Sequence, residues 1–214
     1  MTERRVWEQL AQELGFTFKE GLRAYLESDA VRRLEADGSD LQQAQALAQL
    51  RTLLDNPLLG GVVNRFCFGA VTGHYRGHEC TLYHGAQSTN AHSSSESVHI
   101  GLLFSRPVRQ GMLLAPETFF ARVGRALFRT QDLATGNAEL DRLVVVKAQE
   151  EAPVRVLLAD RRVQAALLAL FGDGGDWKIT DEGIRWRRSG GTLAAAEALP
   201  LLERMAAVAE AMGR

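Results

Sequence analysis

Cysteine is nearly missing from this chain: its 214 residues include two, Cys67 and Cys80. Two thiols are too few for a secreted scaffold that leans on disulfides for its core. Long apolar runs are missing too. The longest uncharged stretches, 98–104 and 163–171, are about half of the ~20 residues that span a bilayer, so no membrane segment is expected. Residues 1–5 lead straight into an amphipathic stretch without the apolar centre of a signal peptide. Together these absences predict a cytoplasmic protein. Charge of one sign is also lacking, since 25 Lys and Arg stand against 26 Asp and Glu. Such a balance gives no bulk attraction to nucleic acid or anionic lipid. What is present is ordinary globular chemistry, 46% hydrophobic and 24% charged, in a chain long enough to bury a sizeable core.

The first 59 residues read as a helical region belonging to the same domain as the rest. Val6, Trp7, Leu10, Ala11 and Leu14 recur at helical spacing, and Gly15 sits where that helix would stop. A second helical stretch carrying Leu22, Tyr25, Leu26, Val31 and Leu34 is expected to end at Gly38, with Ser28-Asp29 as a candidate break, and a third follows Ser39-Asp40 and ends at Asn56-Pro57.

From residue 60 to 214 the pattern becomes that of an α+β core with a C-terminal helix. Asn64–Tyr75 and His78–Gly85 read as strands joined by the two-residue turn Arg76-Gly77. The polar run Gln87–Glu96 has nothing to bury and is expected to be a mobile loop. Strands follow at Ser97–Ser105, Met112–Ala115 and Leu143–Ala148, with a helix opened by Pro116-Glu117 and running to Phe128. Next come helices at Ala152–Leu158 and Asp160–Phe171, a hairpin at Trp177–Thr180 and Ile184–Arg188, and a last helix over Leu193–Met212. Pro200 should kink that helix or start it afresh. Hairpins feeding helices, without strand–helix–strand alternation, predict an α+β fold: an antiparallel sheet built from hairpins, packed with helices, plus the N-terminal helical region.

Three short segments carry a resemblance: Gly73-His74-Tyr75-Arg76-Gly77, then Pro116-Glu117-Thr118-Phe119-Phe120, then Thr135-Gly136-Asn137-Ala138-Glu139-Leu140-Asp141. In this order they resemble a group of uncharacterised bacterial proteins, a domain of unknown function with a "tGd-x-x-FD" segment, over about residues 60–214. Here Asn137 replaces the usual acid and Leu140 the usual Phe. The resemblance implies no activity.

The chemistry-bearing residues scatter. His74, His78, Glu79 and Cys80 cluster in sequence, with Asp141 further along, and on paper suggest a metal site. A turn at Arg76-Gly77 puts His74 on one sheet face and His78 with Cys80 on the other. Cys67 shares the Cys80 face but lies about 20 Å down the ladder at strand rise. No metal, cofactor or catalytic set is therefore expected. His84 and His99 fall on adjacent strands and could approach, but a triad needs a nucleophile, and the Ser93–Ser95 run lies in the expected loop. Asp132, Glu139 and Asp141 could serve acid–base chemistry, though a carboxylate after a Gly-Asn turn more simply binds backbone N–H groups. The chain has no Gly-x-Ser-x-Gly, phosphate-cradling loop with Lys, His-Glu-x-x-His or Cys-x-x-Cys.

Basic residues make the remaining candidate. Arg122, Arg125 and Arg129 stripe one side of the helix after Pro116, and Lys178, Arg185 and Arg187 share one face of the late hairpin. Rows of this kind can hold phosphates. The leading expectation is a non-catalytic interaction domain that binds another protein or itself, with an edge strand or the last helix as the contact. The alternatives are a weak nucleic-acid or polyanion binder using those six cations, and a hydrolytic enzyme using histidine and acid groups of the central sheet.

Overall fold

The structure, a computed structural model, describes residues 3–21, 26, 48, 51–52, 70–90, 93–117, 133–172, 175–190 and 193–213. Among them are eight strands and five helices. In chain order these are α1 (Glu3–Leu14), β1 (Thr17–Lys19), β2 (Ala70–Tyr75), β3 (His78–Asn90), β4 (Ser93–Leu103), β5 (Leu113–Ala115), α2 (Leu140–Leu143), β6 (Val145–Lys147), α3 (Glu151–Ala159), α4 (Arg161–Phe171), β7 (Asp176–Thr180), β8 (Gly183–Ser189) and α5 (Ala195–Met212). The strands hydrogen-bond as an antiparallel sheet in the order β1-β2-β3-β4-β8-β7-β5-β6, which makes the fold α+β. Contacts divide the chain into two compact units. One comprises residues 1–74, 79–101 and 188–199, the other 75–78, 102–187 and 200–214.

In the first unit, α1 buries Trp7, Leu10 and Ala11 and leaves Arg4, Arg5, Glu8, Gln9, Gln12 and Glu13 in water. Its end is built by two backbone bonds. Gly15, at φ 68°, donates to Gln12 O at 3.2 Å, and Phe16 donates to Ala11 O at 2.8 Å. That pair is a Schellman motif, in which glycine takes the left-handed conformation that turns the chain out of the helix.

The turn delivers β1, which pairs with β2 through Thr17↔Thr72, Phe18↔Val71 and Lys19↔Ala70. A strand inside the N-terminal region departs from the all-helical expectation. Three residues are too short for their alternation to register against neighbouring helical patterns. Along β2, β3 and β4, Ala70, Val71, Cys80, Leu82, Val98 and Ile100 are each at most 1% exposed. Burial of one such aliphatic side chain contributes about 1.5–3 kcal/mol.

The first hairpin turns at Arg76-Gly77, with φ 49° and 80°. Positive φ at both central residues is what a type I′ turn requires. The expected loop at 87–96 is overturned: β3 continues to Asn90 and β4 begins at Ser93. A ladder satisfies its backbone groups whatever the side chains are, so lack of apolar residues does not forbid strand there. Of the helices expected over 22–38 and 39–56, residues 26, 48, 51 and 52 are described and are helical, and the rest of both, most of the helix after Pro116, and the strand residues 64–69 lie outside the described residues.

In the second unit, β7 and β8 pair as Trp177↔Trp186, Lys178↔Arg185 and Ile179↔Ile184, with Trp177, Ile179 and Ile184 at most 1% exposed. The turn at 181–182 clamps the loop before β5. Phe104 donates to Glu182 O and Val108 to Asp181 O, while the Asp181 carboxylate accepts from Gly111 N (2.7 Å) and Met112 N (3.0 Å). Asp160 ends α3 and caps α4, its Oδ1 accepting from Arg162 N at 2.8 Å. Helix α5 runs through Pro200 as one element, where a fresh start was the alternative. Pro200 is its sixth residue, so a single intrahelical bond is lost. The face carrying Leu202, Met205, Ala206, Val208 and Ala209, none more than 2% exposed, outweighs that loss.

Candidate functional site

The histidines and acids singled out from sequence have separate surroundings. His74 is exposed at the end of β2. His78 is 7% exposed, its Nδ1 lying 3.2 Å from Leu103 O and 3.3 Å from Ser105 Oγ. Glu79 is half-buried, and Cys80 is buried completely. Among the described residues, no three His, Cys, Asp or Glu side chains come together where a metal could bind. Cys67 and Asp132 lie outside the described residues.

Asp141 serves a turn. Its Oδ1 accepts from both Thr135 N and Thr135 Oγ1 at 2.7 Å. Asn137 Oδ1 accepts from Glu139 N and Leu140 N, which are otherwise orphan donors at the start of α2. Glu139 is exposed.

Of the six anion-binding candidates, Arg122, Arg125 and Arg129 lie outside the described residues. Lys178 and Arg185 sit directly opposite each other on β7 and β8, a like-charge pair, whereas Arg187 faces Asp176. All three cations are half-buried.

The expected approach of His84 and His99 does not occur, because strand alternation assigns them to opposite faces of the sheet. His84 is buried on the side of α1, its ring 6.4 Å from that of Trp7. His99 stacks on Tyr83, with centroids 4.5 Å apart and planes 4° from parallel. Its Nε2 lies 2.8 Å from Ser97 Oγ. In the sequence Ser97 is masked by the hydroxyl-rich polar run directly before it. The legible signal was Ser-x-His on one strand, a spacing that puts both side chains on the same face.

The first unit also holds a groove between α1 and β1, of about 510 Å³, whose lining includes Arg4, Glu8, Gln12, Phe16, Phe18 and Glu20. Phe16 fits there because Gly73 has no side chain: a Cβ on Gly73 would overlap its ring. Arg4 reaches Glu8 at 2.8 Å and Glu20 at 3.1 Å, and these carboxylates, Glu8 foremost, raise its guanidinium pKa. One cation against two carboxylates leaves the groove with one net negative charge. Among the described residues β1 ends the strand order, and Phe16, Thr17, Phe18 and Glu20 line the groove opposite α1.

Among the described residues, no helix is long and apolar enough to cross a membrane. Comparison with protein-family models, with curated proteins and with solved structures returned no match.

Proposed function

We propose that this protein is an interaction domain that takes an extended segment of a partner protein as an added strand on β1, lying in the groove beside α1. The observation that carries the reading is the terminal place of β1 among the described strands, next to a groove walled by a helix. Edge strands offer unpaired N–H and C=O groups in a row, and a third wall converts that row into a recognition site. Half-buried Phe16 and Phe18 give the segment apolar contact, while Glu8 and Glu20 in excess over Arg4 favour a basic side chain in it. β1 has only three residues, so the interface falls well below the ~1,200 Å² of stable complexes and the interaction is a transient one.

Selection of a random heptapeptide library on the full chain tests this reading. Enriched peptides alternate apolar with Lys or Arg, and one of them, titrated by fluorescence polarisation, loses affinity to Phe18→Ala and to Glu20→Lys. The reading falls if nothing is enriched, or if both variants bind as the parent does. The alternative of a polyanion partner draws support from Lys178 opposite Arg185, but Asp176 across from Arg187 offsets part of that charge. The interaction reading is therefore the stronger one.

A further inference from the structure

We propose that Ser97 is a nucleophile activated by His99, able to take an acyl or phosphoryl group from a small activated ester or phosphoryl fluoride. Activation needs a base within hydrogen-bond reach of the hydroxyl and something that fixes the base. Both are present: Ser97 Oγ lies 2.8 Å from His99 Nε2, and the imidazole is held flat against Tyr83. Ser97 and His99 project from one strand two residues apart, and Tyr83 meets His99 from β3, so the arrangement rests on strands rather than on a loop. With the serine hydroxyl as donor, Nε2 holds a lone pair towards Oγ and the ring proton sits on Nδ1. Ser97 is 2% exposed and His99 half-buried, which restricts the substrate to a small one.

The transfer balances. Oγ attacks the carbonyl carbon of an ester as its proton passes to Nε2. The alcohol or phenol leaves, taking that proton, and the acyl group remains on Oγ. Water, deprotonated by the same Nε2, then attacks the acyl carbon, the bond to Oγ breaks, Oγ takes the proton back from Nε2, and the carboxylic acid is released. With a phosphoryl fluoride the Oγ–P bond forms as the P–F bond breaks, the serine proton passes through Nε2 and leaves with fluoride as HF, and the product stays.

The test is intact-mass and peptide mapping of the full chain treated with diisopropyl fluorophosphate, alongside release of 4-nitrophenol from 4-nitrophenyl acetate. A single phosphoryl adduct on Ser97 is expected, absent from Ser97→Ala. His99→Phe keeps a ring against Tyr83 but has no base, and should label about a hundredfold more slowly or worse. If that variant does not fold, His99→Gln makes the same test. Tyr83 acts through the imidazole as a positioning residue, so Tyr83→Leu slows labelling and Tyr83→Phe restores it. An untouched Ser97 in the parent, or equal labelling in a folded His99 variant, overturns the proposal. Peptide binding at the α1/β1 groove is read separately and stands or falls on its own result.

Discussion

The Tyr75 hydroxyl donates a hydrogen bond to Glu203 Oε2, joining the tip of the first hairpin to α5 across 128 positions of sequence. Arg76, in the left-handed conformation that the turn demands, pairs with the other oxygen of Glu203 and lies 3.7 Å from Glu210 Oε1. The carboxylate of Glu203 thus serves two donors on adjacent residues. Tyr75 is half-buried, whereas the arginine pairs are exposed and contribute less.

Replacing Tyr75 by Phe removes one hydrogen bond and should cost about 1 kcal/mol in urea denaturation. The phenol also titrates. Its bond to Glu203, followed by burial, raises its pKa above the ordinary value of 10.0. A raised pKa means that the stabilisation is whole below 10.0 and is lost as pH climbs through the higher folded value. Alkaline titration of phenolate absorbance should show a late-ionising component from Tyr75. That late component should vanish in Tyr75→Phe and move to lower pH in Glu203→Gln.

The turn before α2 depends on Asp141. Its Oδ1 is the shared acceptor for the amide and hydroxyl of Thr135, which is 5% exposed. Asp141→Ala strands a partly buried donor and should cost about 1–3 kcal/mol. Asp141→Asn keeps a carbonyl oxygen at the same place and should cost less. Urea melts of the two variants give the ordering, and equal losses would mean that charge, not the acceptor position, holds the turn.

Acid should act through Glu197. Arg188 donates to its Oε1 at 2.8 Å and the Ala194 amide to its Oε2 at 3.1 Å, closing half of a capping box at the start of α5. Arg188 foremost, with the Ala194 amide second, holds this carboxyl below its ordinary value of 4.5. A lowered pKa stabilises fully above 4.5 and loses its effect as pH falls through the folded value. Glu197→Gln should therefore lower stability at pH 7 and make it less sensitive to acid. Thermal melts at pH 7 and pH 3 check this, and an unchanged pH slope would contradict it.

Some elements are legible in the sequence and others are not, for definite physical reasons. Gly15 and Asp160 announced helix boundaries because capping is local chemistry, and Arg76-Gly77 announced its turn because few residues accept positive φ. The strand character of 87–90 and 93–96 escaped because polar side chains hide a ladder whose bonds are all backbone. β1 escaped because a three-residue edge strand exists by virtue of its partner β2, far away in sequence. The same limit hid both candidate sites. The α1/β1 groove is produced by that distant pairing, and the Ser97–His99 contact becomes visible only once both residues are known to lie on one strand face.

The wall of the groove permits the sharpest test of packing. Gly73 on β2 lies under the Phe16 ring so closely that a Cβ there would overlap it. Gly73→Ala must push the ring aside, and the expected cost is about 1–3 kcal/mol, as for other overpacked sites. Phe16→Ala alone removes half-buried apolar contact and should also destabilise. Combining them reverses the sign of the glycine change. Once the ring is gone, alanine in a strand loses less backbone entropy on folding than glycine, by roughly 0.5–1 kcal/mol, so Gly73→Ala becomes neutral or stabilising. A double-mutant cycle by urea denaturation should thus give a coupling energy larger than either residue's intrinsic propensity effect. Simple additivity would mean that the ring does not rest on Gly73, and the groove would then lack the wall that the proposed strand addition requires.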